Sequence, residues 1–157
     1  MDGFLDRLTA LYDGYLETVN RLERERKPGE GMFGFGGGPA NNPCHDRFAE
    51  DVAALLGELS AGNAPSALRR EAMERIFAAP LENPTPKSSY WMLIAVQGFT
   101  RDLIPGLSAE DADALTAQYL RDYPRRNRLP VQNEILALLF QAGTDSGESR
   151  RLSFRKK

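Results

Sequence analysis

Ser88-Ser89-Tyr90-Trp91-Met92-Leu93-Ile94-Ala95-Val96-Gln97-Gly98-Phe99-Thr100-Arg101-Asp102-Leu103-Ile104 is apolar on nearly every side, whereas its neighbours in the chain are apolar on one side only. A helix with that pattern belongs in the middle of a fold. At about 100° per residue its polar stripe runs through Gln97 and Arg101 and widens at Asp102, so its last turns are expected to reach water. Pro105 and Gly106 are expected to stop it. The apolar pattern outlasts a typical strand, and the stretch is too short, and too soon interrupted by charge, to span a bilayer. Trp91, Leu93 and Val96 are therefore assigned to the core, with at least three other helices packed around them.

Upstream, Phe4, Leu8, Leu11, Tyr15, Val19 and Leu22 recur at steps of three and four, which predicts an amphipathic helix running into the solvated charges Glu23 to Lys27 and ending before Pro28. Asn41 or Asn42 followed by Pro43 marks the next helix start. That helix turns Phe48, Val52, Leu55, Leu56 and Leu59 inward and ends at Gly62. A third helix, from about Pro65 to a stop at Pro80, places Leu68, Ala72, Ile76 and Phe77 inside and Arg69, Arg70, Glu71 and Glu74 outside. The connector Leu81 to Lys87 then delivers the central helix, with Ser88 as its cap.

Downstream, Ser108-Ala109-Glu110-Asp111 resembles a capping box with Asp in place of Glu. The helix it opens faces Ala112, Leu115, Tyr119 and Tyr123 to the core and closes at Pro124. The last helix opens at Pro130 and carries Val131, Ile135, Leu138, Leu139 and Ala142 on one face as far as Gly143. The expected fold is all-α: a single-domain bundle of about six helices around the central apolar one, covering 1–143, with a disordered basic tail over 144–157.

The chain has 157 residues, 41% of them hydrophobic and 27% charged, the balance of an ordinary globular domain. Its net charge of −2 offers no general attraction to nucleic acid or anionic lipid. Two acids against five bases after Gly143 make the tail +3 and leave −5 for the body. One cysteine excludes an internal disulfide and favours the cytoplasm, and no basic segment followed by an apolar run marks a secretory signal at the N-terminus.

Between the first two helices, Pro28 to Asn42 is rich in glycine yet contains Met32, Phe33 and Phe35, which either anchor the loop to the bundle or are offered to a partner. The loop leads into Asn41-Asn42-Pro43-Cys44-His45-Asp46, which holds the one Cys and the one His of the chain. At a helix start, free N–H groups and the positive dipole end would stabilise a Cys44 thiolate or hold an anion. A ligand site lined by Phe33, Phe35, Asn41, Asn42, Cys44, His45 and Asp46 is one candidate. Against it, Asn42 capping, Pro43 starting the helix, Asp46 complementing the dipole and Cys44 filling apolar space account for the same residues. Cys44 and His45 diverge by about 100° on a helix, which argues against a shared proton. The glycine loop lacks a following Lys-Ser/Thr and a preceding strand, so it is no nucleotide-binding fingerprint. No metal and no cofactor is expected.

Arg121, Arg125, Arg126 and Arg128 form a second candidate, a basic patch beside Tyr119 and Tyr123, which the tail could reinforce toward phosphates. Arg150-Arg151-Leu152-Ser153-Phe154 also resembles a basophilic kinase substrate. The body is acidic and no basic recognition helix stands out, so nucleic acid is not the favoured partner. The favoured function is a non-enzymatic helical protein that acts through another protein or through itself, with no membrane partner. A ligand-binding or thiol-dependent site at the glycine loop and an accessory nucleic-acid binder are the alternatives.

Overall fold

The computed structural model describes residues 3–25, 42–82 and 87–144. It is an all-α single-domain bundle: α1 (Phe4–Glu25), α2 (Cys44–Ala61), α3 (Ser66–Glu82), α4 (Lys87–Ala95), a 3₁₀ segment (Val96–Gly106), α5 (Ala109–Asp122), a 3₁₀ turn (Arg125–Asn127) and α6 (Pro130–Ala142). Phe33, Phe35, Asn41 and the tail beyond Thr144 lie outside the described residues. The inner faces expected of α1, α2, α5 and α6 are the ones that pack, from Phe4, Leu8 and Val19 through Val52 and Leu59 to Leu115, Tyr119, Ile135 and Leu139.

The hub is where the stretch departs from a regular helix. After Ala95 the backbone tightens to 3₁₀ winding through Gly106, with Pro105 inside it instead of stopping it. Three residues per turn bring side chains at i, i+3 and i+6 into line. Gln97, Thr100 and Leu103 consequently share the inner face, all fully buried, and Gln97 is no part of a solvated stripe. Arg101 and Asp102 do reach water. Side chains reinforce the winding: the Thr100 hydroxyl donates to the Gln97 carbonyl (2.7 Å) and Arg101 Nε to that of Gly98 (2.8 Å). Pro105 has no N–H to give the carbonyl three residues back, and Ser60 Oγ from α2 donates to that Asp102 carbonyl instead, at 3.4 Å. At Gly98 a Cβ would stand 3.1 Å from Val131, so the absent side chain lets α6 close onto the segment.

This 3₁₀ segment packs against α2, α3, α4 and α6, while α5 packs on α3 and α6, and α1 mainly on α2. Leu93, Ile94 and Val96 are buried as expected, but Trp91 is not a core residue: it is 46% exposed, on a face of α4 shared with exposed Ala95. The first turns of the stretch are therefore buried on one side, at Ser89, and open on the other, at Trp91. Lys87 already belongs to α4, so Ser88 lies inside the helix rather than capping it.

Two further corrections fall on α3. Pro80 does not end it; the helix continues to Glu82, with Pro80 itself buried. A proline this near the C-terminus forfeits one bond, to the Ile76 carbonyl, with only two residues left to disturb. Arg69 points inward and is 5% exposed. It continues the stripe of Ala72, Met73, Ile76 and Phe77, and its guanidinium donates to the carbonyls of Ala64 (2.7 Å), Leu103 (3.2 Å) and Leu59 (3.4 Å). One cation thus ties the end of α2 and the 3₁₀ segment to the start of α3. The α2 terminus closes on Asn63, whose φ of 52° is the left-handed position, with Ala64 N–H returning to the Leu59 carbonyl at 3.0 Å.

A second buried polar knot joins the hub to α5. The Tyr119 hydroxyl donates to Gln97 Oε1 (2.6 Å), Gln97 Nε2 donates to the Tyr123 hydroxyl (3.1 Å), and that hydroxyl donates to the Phe77 carbonyl (2.5 Å). At the start of α5, Ser108 accepts from Asp111 N–H at 3.1 Å, as in a capping box. The reciprocal bond comes from α3: Ser66 Oγ accepts from Ser108 N–H (2.7 Å) and donates to the Asp111 carboxylate, which Arg70 also holds at 3.0 Å.

Arg69→Met should destabilise the fold by about 3 kcal/mol, because three buried carbonyls lose a charged donor, although that of Leu59 keeps Ala64 N–H. Gly106→Ala should also destabilise, since its Cβ would overlap the guanidinium. In the Arg69→Met background Gly106→Ala should become nearly neutral, and urea unfolding of the four chains measures that coupling. The Asp111 carboxyl is lowered first by the Ser66 hydroxyl and then by Arg70. A depressed folded-state pKa contributes stability that is present above the unfolded value of about 3.9 and lost as pH falls through the folded value. Asp111→Asn should accordingly shrink the loss of stability seen in urea midpoints below about pH 4.

Candidate functional site

The polar cluster at the start of α2 is built by capping. Asn42 Oδ1 accepts from Cys44 N–H at 2.9 Å, the Asn42 carbonyl accepts from His45 N–H at 3.3 Å, and the Pro43 carbonyl accepts the first regular helical bond, from Arg47 N–H at 3.1 Å. Asn42 therefore takes up one of the amides that an anion would need. From this start consecutive residues diverge. Cys44 is half-buried, Asp46 faces water, and His45 turns into the core at 7% exposure.

His45 Nδ1 and the Tyr15 hydroxyl of α1 share a hydrogen bond of 2.6 Å. Tyr15 also stacks on Phe48, with ring centroids 4.0 Å apart and planes 7° from parallel, and Tyr12 meets the same Phe48 edge-on at 4.9 Å. The histidine is thus held against α1 inside an aromatic layer. Burial pushes the Tyr15 phenol up to about 12, with the Ser89 hydroxyl pulling the other way. For the Cys44 thiol burial again dominates and raises its pKa, outweighing Arg47 and the helix-start backbone. A raised thiol is the reverse of what an activated nucleophile needs.

Cys44 and Asn42 do border a cleft between α1 and α2, of about 590 Å³, with Leu11, Tyr15, Arg47 and Asp51. His45 and Asp46 are not among its lining residues. The proposed ligand site is therefore divided: Asn42 and Cys44 on the cleft, His45 inward, Asp46 outward. The basic patch is divided as well. Arg121 pairs with Asp122 at 3.0 Å. Arg128 clasps its own turn, donating to Asn133 Oδ1 (2.8 Å) and the Tyr123 carbonyl (3.1 Å). Arg125 and Arg126 project into solvent. Among the described residues no group of three or more His, Cys, Asp or Glu could hold a metal ion.

Two surface features had no place in the sequence reading. A cleft of about 680 Å³ separates α1 from α3 and α5, its rim carrying Arg70, Arg75, Arg121, Glu71 and Glu74. It is bridged from both sides, by Arg75 to Thr9 Oγ1 (2.7 Å) and by Gln118 Nε2 to the Glu74 carbonyl (3.1 Å). The second is a groove of about 350 Å³ between α5 and α6, walled by Thr116 and Leu120 on one side and Leu136, Ala137 and Phe140 on the other. None of its lining residues is ionisable. Leu120 stands 51% exposed over it. The signal was present in the sequence: Leu120, Leu136 and Phe140 are large apolar residues left off the inward stripes of their helices.

No family model, curated protein or solved structure matches this chain. Among the described residues no helix is long and apolar enough to cross a membrane.

Alkylation of Cys44 should be slow at neutral pH and should rise only above the ordinary thiol range, about 8.5, when its rate is followed against pH. Tyr15→Phe should lower the unfolding free energy by about 1 kcal/mol, by removing the hydrogen-bond partner of buried His45 Nδ1. Thermal melts of the two chains check it.

Proposed function

We propose that the chain is a non-enzymatic helical protein that works by binding another polypeptide, and that the α5–α6 groove is its contact face. The observation that carries this reading is Leu120, half exposed above a groove with no ionisable lining. An exposed leucine over a concave, uncharged surface walled by partly buried Leu136 and Phe140 is what a partner helix or an apolar anchor covers. Leu81 and Trp91 are comparably exposed, but they flank a connector whose side chains lie outside the described residues.

Several members of the alternative sites already have work inside the fold. Asn42 caps α2, His45 is paired with Tyr15, and the Cys44 thiol is raised by burial, so thiol chemistry is the weaker reading. Arg121 and Arg128 are engaged within the chain, and the body is net acidic, so a nucleic-acid role has only Arg125, Arg126 and the tail to draw on. A cytoplasmic location goes with this proposal, supported by the single cysteine.

A photo-crosslinking amino acid placed at position 120 in living cells tests the reading, with one at position 126 as the control. The expected result is a defined polypeptide adduct from position 120 and none from 126. No adduct from 120, or equal adducts from both, would contradict it.

A further inference from the structure

α1 packs mainly on α2 and only lightly on α3, and between α1, α3 and α5 this leaves the cleft of about 680 Å³. That volume falls among those of small-molecule sites, which run from about 300 to about 1,000 Å³ and often lie between the helices of bundles. Its walls are tied to one another: Arg75 of α3 donates to the Leu5 carbonyl (3.3 Å) and to Thr9 Oγ1 (2.7 Å) of α1, and Gln118 of α5 donates to the Glu74 carbonyl (3.1 Å). These ties fix the spacing of the walls, so the cleft is formed before anything enters it.

The buried part of the lining is almost wholly apolar, from Leu8, Tyr12, Leu16 and Ala79. Tyr12 is the exception. It is 7% exposed, and among the described residues its hydroxyl meets no hydrogen-bond partner. Burial holds that phenol well above its ordinary range, so it stays protonated and can both donate and accept. A buried hydroxyl without a partner is costly, and a ligand that brings a hydroxyl to it removes the cost. The floor therefore matches an apolar body that carries one polar group.

The rim selects charge. Arg70 is paired with Asp111 and Glu74, and Arg121 with Asp122. Arg75 spends its bonds on uncharged acceptors. Against that one guanidinium stand Asp13 of α1 and Glu71 and Glu82 of α3, all exposed and, among the described residues, closed into no ion pair. The surplus is negative, so a cation is favoured at the mouth and an anion is opposed.

We propose that the α1–α3–α5 cleft binds a small primary amine with an apolar body and a hydroxyl at its far end, the ammonium held among Asp13, Glu71 and Glu82 and the hydroxyl paired with that of Tyr12. The site shares no lining residue with the α5–α6 groove, and it stands whether or not that groove is a contact face.

Titration of the full chain with tyramine, followed through the methyl signals of Leu8, Leu16 and Ala78, tests it. The expected result is saturable movement of these signals with a Kd below about 1 mM. Hydroxyphenylpropanoate, with a carboxylate in place of the ammonium, should bind about tenfold more weakly or worse. Phenethylamine, which lacks the hydroxyl, should bind about fivefold more weakly. Tyr12→Phe should erase that second difference, and because the hydroxyl has no partner in the fold the variant should keep its melting temperature. Asp13→Asn, Glu71→Gln and Glu82→Gln together, all at exposed positions, should weaken tyramine about tenfold, while Glu50→Gln, an exposed carboxylate of α2 away from the cleft, should not. A wild-type chain with no saturable movement overturns the proposal, as does equal affinity for tyramine and its carboxylate analogue. So does a preference over phenethylamine that persists in Tyr12→Phe, or tyramine binding that the three rim substitutions leave unchanged.

Discussion

The fold depends on a buried cation that, among the described residues, is held by backbone carbonyls rather than by a carboxylate. Arg69 spends its guanidinium on the carbonyls of Leu59, Ala64 and Leu103. These acceptors lie where α2 ends and where the hub winds as 3₁₀. A lone buried charge is costly, and bonds from a charged donor to backbone oxygens are among the stronger ones available to offset it. The arrangement fixes the angle at which α3 leaves α2 and pins the 3₁₀ segment to both. It also dictates a glycine at 106, since any side chain there would occupy the space of the guanidinium.

The second anchor, Gln97 with Tyr119 and Tyr123, follows from the same winding. Were Val96–Gly106 an ordinary helix, Gln97, Thr100 and Leu103 would fan over about 120° rather than stand in line. In line, Gln97 faces Tyr119 of α5 and Tyr123 just past its end, and through Tyr123 reaches the Phe77 carbonyl of α3. Burial raises the pKa of both phenols, so they stay protonated and keep donating through the neutral range. These bonds set the position of α5, and α5 in turn carries one wall of the groove. The chain of dependence runs from the 3₁₀ hub through a buried amide to the surface proposed as the contact face.

Much of this was legible in the sequence. The stripes of α1, α2, α5 and α6 were clear because those helices are regular and one-sided, and the starts at Asn42-Pro43 and Ser108 followed from capping chemistry. What escaped was local winding and buried polarity. A period of 3.6 applied to a segment that winds at 3.0 sends Gln97 to solvent. Arg69 was placed outside because it is charged, although its spacing from Ala72, Met73 and Ile76 put it inside. Trp91 was assigned to the core because the stretch around it is apolar on nearly every side, yet it stands on the open side of a short helix. At the candidate site the capping role of Asn42 was readable, whereas the pairing of His45 with Tyr15 joins residues 30 apart and leaves no local pattern. The groove was detectable in principle from the apolar residues that no stripe used.

The structure thus separates two surfaces with opposite characters. At the start of α2, Asn42 and His45 are engaged within the fold, Asp46 faces water, and the cleft keeps a half-buried thiol raised by that burial. On α5–α6, apolar side chains without charge face outward. Methyl-resolved NMR spectra of the full chain, recorded in purified form and inside living cells, compare the two directly. The account predicts that the methyl signals of Leu120 and Leu136 move while those of Leu11, on the α1–α2 cleft, stay fixed. Movement at Leu11 with Leu120 and Leu136 unchanged would contradict it.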